Sequence, residues 1–141
     1  MSCNAFAHAA PSGVAANSGV SQRATAPGAV SRWLTPSFAA TYEGAAAAKS
    51  LHDMLVATDA QGYVESCSAV AAIDFRESNH RIAVPTLVIG GLQDEATPMA
   101  MSEAMAAAIP GARLATIEAA HLSAVERPAD FVELLRGFIP A

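Results

Sequence analysis

The sequence predicts an α/β chain whose C-terminal part forms a parallel sheet. Three observations carry this reading. Two short apolar runs, residues 86–90 and residues 113–117, have the length and composition of buried strands. Each is followed by a helical pattern, at residues 99–108 and 129–138. Everything between residues 43 and 73 reads as helix alone. Strand–helix–strand–helix order implies parallel strands joined by crossovers.

Taken in order, residues 1–28 are Ala, Ser, Gly, Asn and Pro without strand or helix period. They read as an irregular tail, either natural or the product of a wrong start or reading frame. Order is expected from about Val30, with Ser31 capping a turn that holds Arg32, Trp33 and Leu34. Residues 43–57 follow as a helix with Leu51, Met54 and Leu55 on one face. Thr58 or Asp59 caps the next helix, 62–73, which is expected to bury Tyr63, Cys67 and Val70. Residues 74–81 are a polar link into the first strand. That strand opens after Pro85 and ends in the pair Gly90-Gly91. Pro98 opens the following helix and Pro110-Gly111 closes it. In the last helix Phe131, Leu134, Leu135 and Phe138 recur at spacings of three and four, which marks a core-facing stripe. Three units result: a tail at 1–28, a helical segment at 29–80 and a βαβα unit at 81–141.

Composition narrows the function. At 52% hydrophobic and 15% charged, the 141 residues are expected to fold. A net charge of −5 and the lack of a basic run argue against a nucleic-acid partner. No apolar run approaches the about 20 residues needed to span a bilayer. No secretory-signal pattern is present, so a cytoplasmic protein is expected. Cys3 and Cys67 fit no metal spacing. Charge is uneven: residues 1–42 hold Arg23 and Arg32 and no acid, while all 13 acids lie beyond them.

The chemistry lies just past the two strands. Asp94 follows the first and His121 the second. Loops at the C-terminal edge of a parallel sheet are where such folds place their sites. A histidine there can take a proton from a hydroxyl, and a carboxylate on its other nitrogen holds the tautomer and stabilises the imidazolium. Taken singly, Asp94 could instead cap the following helix together with Thr97, and His121 could be a structural histidine. Their joint placement after successive strands favours the pair. In this chain order a nucleophilic serine should come earlier, in a Gly-x-Ser-x-Gly turn. No such pentapeptide occurs in the 141 residues. Ser12, Ser18 and Ser21 sit near glycines, but none stands between an apolar strand and a helix.

Two stretches, VPTLVIGGLQDEATP and IPGARLATIEAAHLSAVERPADF, resemble the C-terminal part of an α/β-hydrolase. Within that superfamily the chain is similar to the 3-oxoadipate enol-lactonases, which hydrolyse an enol-lactone during aromatic catabolism. Gly91 to Pro98 matches a pattern general to the superfamily, whereas Ala119 to Glu126 is closer to the lactonases. SRWLTPSF and LHDMLVATDAQGYVESCSAVAAIDFR resemble that family's cap helices and the return to the sheet. The resemblance covers residues 30–140 and implies a partial α/β-hydrolase fold, with Asp94 as the triad acid and His121 as the general base. Arg32 and Trp33 fall in the cap motif over the pocket. There Arg32 could meet a substrate carboxylate; alternatively Trp33 anchors the cap and Arg32 is solvated. No metal or organic cofactor is implied. Other readings are a different cap-bearing hydrolase of the esterase or haloperoxidase kind, and a non-catalytic piece completed by a separate N-terminal half. The open strand edge is expected to bind such a half or a second copy.

Overall fold

The computed structural model describes residues 22–140. Cys3, Ser12, Ser18, Ser21 and most of the expected tail lie outside the described residues. The first described element is helix α1, Gln22–Trp33. Order therefore starts before Val30, and Ser31 lies inside the helix, donating its hydroxyl to Gly28 O at 3.1 Å rather than capping a turn. The irregular reading of residues 22–28 failed for a physical reason. Ala26, Ala29, Val30 and Leu34 are all buried and recur at helical spacing. Two of the four are alanines, whose small side chains add little apolar contrast among the Ala, Gly and Ser around them.

Thr35 then caps α2, Pro36–Ala39, by accepting a hydrogen bond from Phe38 N. Thr41 caps α3, Tyr42–Ala57, by accepting one from Gly44 N at 3.0 Å. Both α1 and α2 pack on α3. The contact with α2 is close: a Cβ added at Gly44 would lie 1.8 Å from Phe38 O. Helix α4, Ala60–Ala72, begins at Asp59, which accepts from Gly62 N at 2.7 Å, so Asp59 rather than Thr58 is the cap. No residue of α4 is buried. Cys67 is exposed, against its expected place in a core, as is Val70. The apolar face of α4 meets too little of the described chain to be covered.

A single 3-10 turn, Asn79–Arg81, leads to β1, Leu87–Gly91. Helix α5, Met99–Ala108, crosses to β2, Arg113–Ile117. The two strands pair in parallel, from Leu87 opposite Arg113 to Gly91 opposite Ile117. Helix α5 packs on both. The one-turn helix α6, Ser123–Glu126, and helix α7, Pro128–Arg136, end the chain. Helix α7 packs on β2, and the Arg113 guanidinium lies over the Phe138 ring, 5.7 Å from its centre. Its Nη1 also donates to Gly137 O at 3.2 Å. The strands differ from expectation in one respect. Val88 and Gly90 of β1 are buried, but Arg113, Leu114 and Thr116 of β2 are exposed. A two-stranded sheet among the described residues leaves much of the second strand's surface uncovered. No helix among the described residues is long and apolar enough to cross a membrane.

The close crossing at Gly44 gives a direct test. Gly44→Ala should destabilise the chain by about 1–3 kcal/mol or more, because the added methyl meets a backbone carbonyl that cannot rotate away. Urea unfolding followed by circular dichroism would measure it. An unchanged midpoint would mean that α2 and α3 are not held at this distance.

Candidate active site

The site forms because the two strands end level and the chain beyond them stays paired. Leu92 N donates to Ile117 O at 3.0 Å, and Gln93 N donates to Ala119 O at 3.1 Å. These bonds carry the ladder past Gly91 and draw the loop bearing Asp94 alongside the loop bearing His121. Gly91 permits the approach: a Cβ there would sit 2.7 Å from both Ala119 O and Ala120 O. Such contacts with backbone are prohibitive, so the second glycine of the pair serves packing.

Asp94 lies at the centre of this junction, with its side chain only 7% exposed. Oδ1 accepts from Ala96 N and Thr97 N, both at 2.8 Å. Oδ2 accepts from the Thr97 hydroxyl at 2.5 Å and lies 2.9 Å from His121 Nδ1. The capping role and the pairing with histidine, alternatives from sequence, therefore coexist on one carboxylate, each oxygen taking a share. Burial pushes the Asp94 carboxyl up. The Thr97 hydroxyl, the Thr97 N–H and His121 together outweigh it and hold the group below its ordinary 3.8.

His121 is 34% exposed at its side chain, so the ring is open on one side and seated on the acid on the other. Asp94 has acceptors only, which assigns the Nδ1 proton to the bond between them. That leaves Nε2 as the basic nitrogen. At 2.9 Å the bond has the length required of a base and its orienting group. Such a pair can accept a proton from a hydroxyl at Nε2 while Asp94 stays ionised.

The loop that carries His121 is anchored on both sides of the ring. Leu122 N donates to Trp33 O at 2.9 Å. Ala120 N donates to Glu126 Oε2 at 3.1 Å. The same Oε2 accepts from Thr35 N at 3.1 Å, and Oε1 accepts from the Thr35 hydroxyl. Glu126 and Thr35 are 5% and 2% exposed, so this cluster is interior. Glu126 stands in the run quoted for the family resemblance, yet nothing in its neighbours marks it as buried. Only the return of α6 beneath the loop does so.

A cavity of about 550 Å³ opens beside Asp94; its wall includes Arg32, Leu34, Thr35, Gln93, Asp94, Glu95 and Ala120, while His121 stands next to Ala120 outside that lining. The structure thus brings Arg32 and Asp94 to one cavity. Trp33 is not among its lining residues. Its contribution to the site is the backbone carbonyl that holds Leu122.

Residues 11–128 match the family model of the alpha/beta hydrolase fold. The chain belongs to the α/β-hydrolase family. The match reaches upstream of residue 30, where the sequence resemblance was expected to begin. Over 108 residues the chain is 35% identical to 3-oxoadipate enol-lactonase 1 of Acinetobacter baylyi, covering 77% of this chain and 40% of that protein. It is 33% identical over 79 residues to the pyrrolizixenacetamide deacetylase of Xenorhabdus hominickii, covering 56% of this chain and 30% of that one. Among solved structures, the crystal structure of the enol-lactonase from Burkholderia xenovorans superposes with a TM-score of 0.78 at 33% identity. That match covers 83% of this chain and 44% of the other. The chain therefore spans less than half the length of each of these relatives.

The lowered Asp94 pKa sets the sign of a pH effect. A carboxyl of 3.8 when unfolded and lower when folded adds stability that is fully present above pH 3.8. That contribution is lost as pH falls through the folded value. Asp94→Asn should therefore reduce stability near neutrality, and its difference from the parent chain should shrink below pH 3.8. Urea unfolding of both chains from pH 2 to pH 7 would measure this. A difference that grew on acidification would refute the assigned contacts.

Proposed function

We propose that this chain carries the acid–base half of a hydrolase site for a small lactone, with a substrate class like that of 3-oxoadipate enol-lactonase in aromatic catabolism. The Asp94–His121 bond, with Asp94 also lining a cavity that Arg32 shares, is the observation that supports this reading. In the proposed reaction a serine hydroxyl attacks the lactone carbonyl and gives its proton to His121 Nε2. Collapse of the tetrahedral intermediate breaks the ring C–O bond, and Nε2 returns the proton to the departing oxygen. Water then attacks the acyl-serine with His121 again as base, releasing the carboxylate and restoring the serine. Asp94 remains ionised throughout, and Arg32 meets a carboxylate of the substrate.

In this reading the serine comes from outside the 141 residues, since no Gly-x-Ser-x-Gly is among them. A separately supplied N-terminal half would also cover the edge of β1 that no strand among the described residues pairs; a second copy of the chain would cover that edge without supplying the serine. The match to the deacetylase supports a second reading, in which the scissile bond is an amide or open-chain ester attacked by the same groups.

Removing the nucleophile of a comparable triad costs about 10⁶ in kcat. The purified chain should therefore hydrolyse enol-lactones and nitrophenyl esters no faster than free imidazole. Burst kinetics together with labelling of Ser12, Ser18 or Ser21 by a serine-directed phosphonate would overturn that expectation. Light scattering on the same sample tests the edge. Association through the sheet should give a mass that rises with concentration, whereas a strict monomer with strongly protected amides at Leu87, Val88 and Ile89 would show that the chain needs no cover there.

A further inference from the structure

We propose that Glu126 is a positioning residue: it locks the backbone before His121 to the end of α1, so that the histidine and the Arg32-bearing wall of the cavity move as one body. The inference rests on the proposed role of His121, but its evidence is separate. The two residues flanking His121 are both tied to the Trp33–Thr35 turn. Leu122 N binds Trp33 O directly at 2.9 Å. Ala120 N binds Glu126 Oε2 at 3.1 Å, and that oxygen also binds Thr35 N at 3.1 Å while Oε1 takes the Thr35 hydroxyl. The carboxylate is the only bridge between Ala120 and Thr35 in this cluster. Its sequence position alone does not place it there. Helix α6 is a single turn, Ser123–Glu126, in which Glu126 N returns to Leu122 O at 3.0 Å and turns the side chain back under the loop.

The chemistry of the bridge discriminates among substitutes. Two of its three bonds come from backbone N–H groups onto one oxygen, which a glutamine amide oxygen reproduces. The third comes from a hydroxyl, which can rotate to accept from the glutamine NH₂. Glu126→Gln should therefore preserve the lock. Alanine removes all three bonds and leaves two interior N–H groups unpaired. Arg32 directly precedes the anchored turn, so loosening the lock would also let the Arg32 wall drift relative to the imidazole.

The test reads geometry, not turnover. Two-bond ¹H–¹⁵N correlation of the His121 ring reports its tautomer and its bond to Asp94, and amide exchange reports the anchors. Asp94→Asn supplies the ring signature of a broken pair. The parent chain and Glu126→Gln should share one ring signature. Glu126→Ala should move that signature toward the Asp94→Asn pattern and speed exchange at Thr35, Ala120 and Leu122 by about tenfold. Ring shifts and Ala120 and Leu122 exchange that stay unchanged in Glu126→Ala would overturn the proposal, as would a Glu126→Gln chain that behaves like Glu126→Ala. If Glu126→Ala does not fold, Thr35→Val carries the test. It deletes one of the three Glu126 bonds together with the α2 cap to Phe38 N, so exchange at Phe38 reports the lost cap while Ala120 and His121 report the lock; these should change in smaller degree than in Glu126→Ala, and no change at Ala120 or His121 would refute the lock. A parent ring that already matches Asp94→Asn would refute the Asp94–His121 pair, while the exchange rates would still decide the lock.

Discussion

Beyond Gly91 the two strands stay bonded, and the candidate site depends on that constraint. A parallel pair of strands delivers its loops at one edge, but it does not by itself make them touch. The Leu92–Ile117 and Gln93–Ala119 bonds extend the contact into the loops, and the absence of a side chain at Gly91 lets the backbone of Ala119 and Ala120 close over it. From there the reach of two side chains suffices to bring Asp94 Oδ2 within 2.9 Å of His121 Nδ1. Helix α5 supports the arrangement from one side by packing on both strands.

Two carboxylates are taken out of water to build this region, and each is compensated by hydrogen-bond donors. Burying an unpaired charge costs several kcal/mol, so the donor arrangement decides whether such a site can exist. Asp94 receives two N–H groups, a hydroxyl and the imidazole, and Glu126 receives two N–H groups and a hydroxyl. No buried side-chain nitrogen or oxygen among the described residues lacks a partner. The two acids do different work. Asp94 lies at the strand ends and holds the imidazole. Glu126 faces the interior and joins the histidine loop to the helical segment.

Elsewhere on the described surface several large apolar side chains are exposed. Val70, Ile73, Phe75 and Val84 lie exposed along α4 and the link into β1, and Leu114 is exposed on β2. Val70 and Leu114 lie in a helix and a strand, the others in the connecting link, and the described residues do not cover them. Relatives more than twice as long as the span that matches them offer a physical context in which such faces would be buried. The polar junction at the strand ends behaves differently, because its partners all lie within the described chain.

Much of the architecture was legible in the residues. Proline and glycine punctuation marked β1 to within one residue, and the bounds of α5 and β2 were read as they stand. Asp94 and His121 were legible because period and loop order place them at one sheet edge whatever the details of packing. Helix α1 was missed in part because alanine carries little hydropathic contrast, and Cys67 was misplaced because a periodic apolar face does not say whether anything will cover it. Sequence drew attention to the Trp33 side chain, whereas the bond from Leu122 N to the Trp33 carbonyl has no sequence signal. Glu126 shows the difference most plainly. Local sequence carries no sign that one turn of helix folds this glutamate beneath a loop toward a threonine 91 positions away. Sequence by itself determined the alternation of elements and the placement of acid and histidine at one sheet edge, because these follow from local periodicity and loop order. Only the tertiary structure decided which carboxylate is interior and what it holds, because burial depends on chain segments that meet after folding.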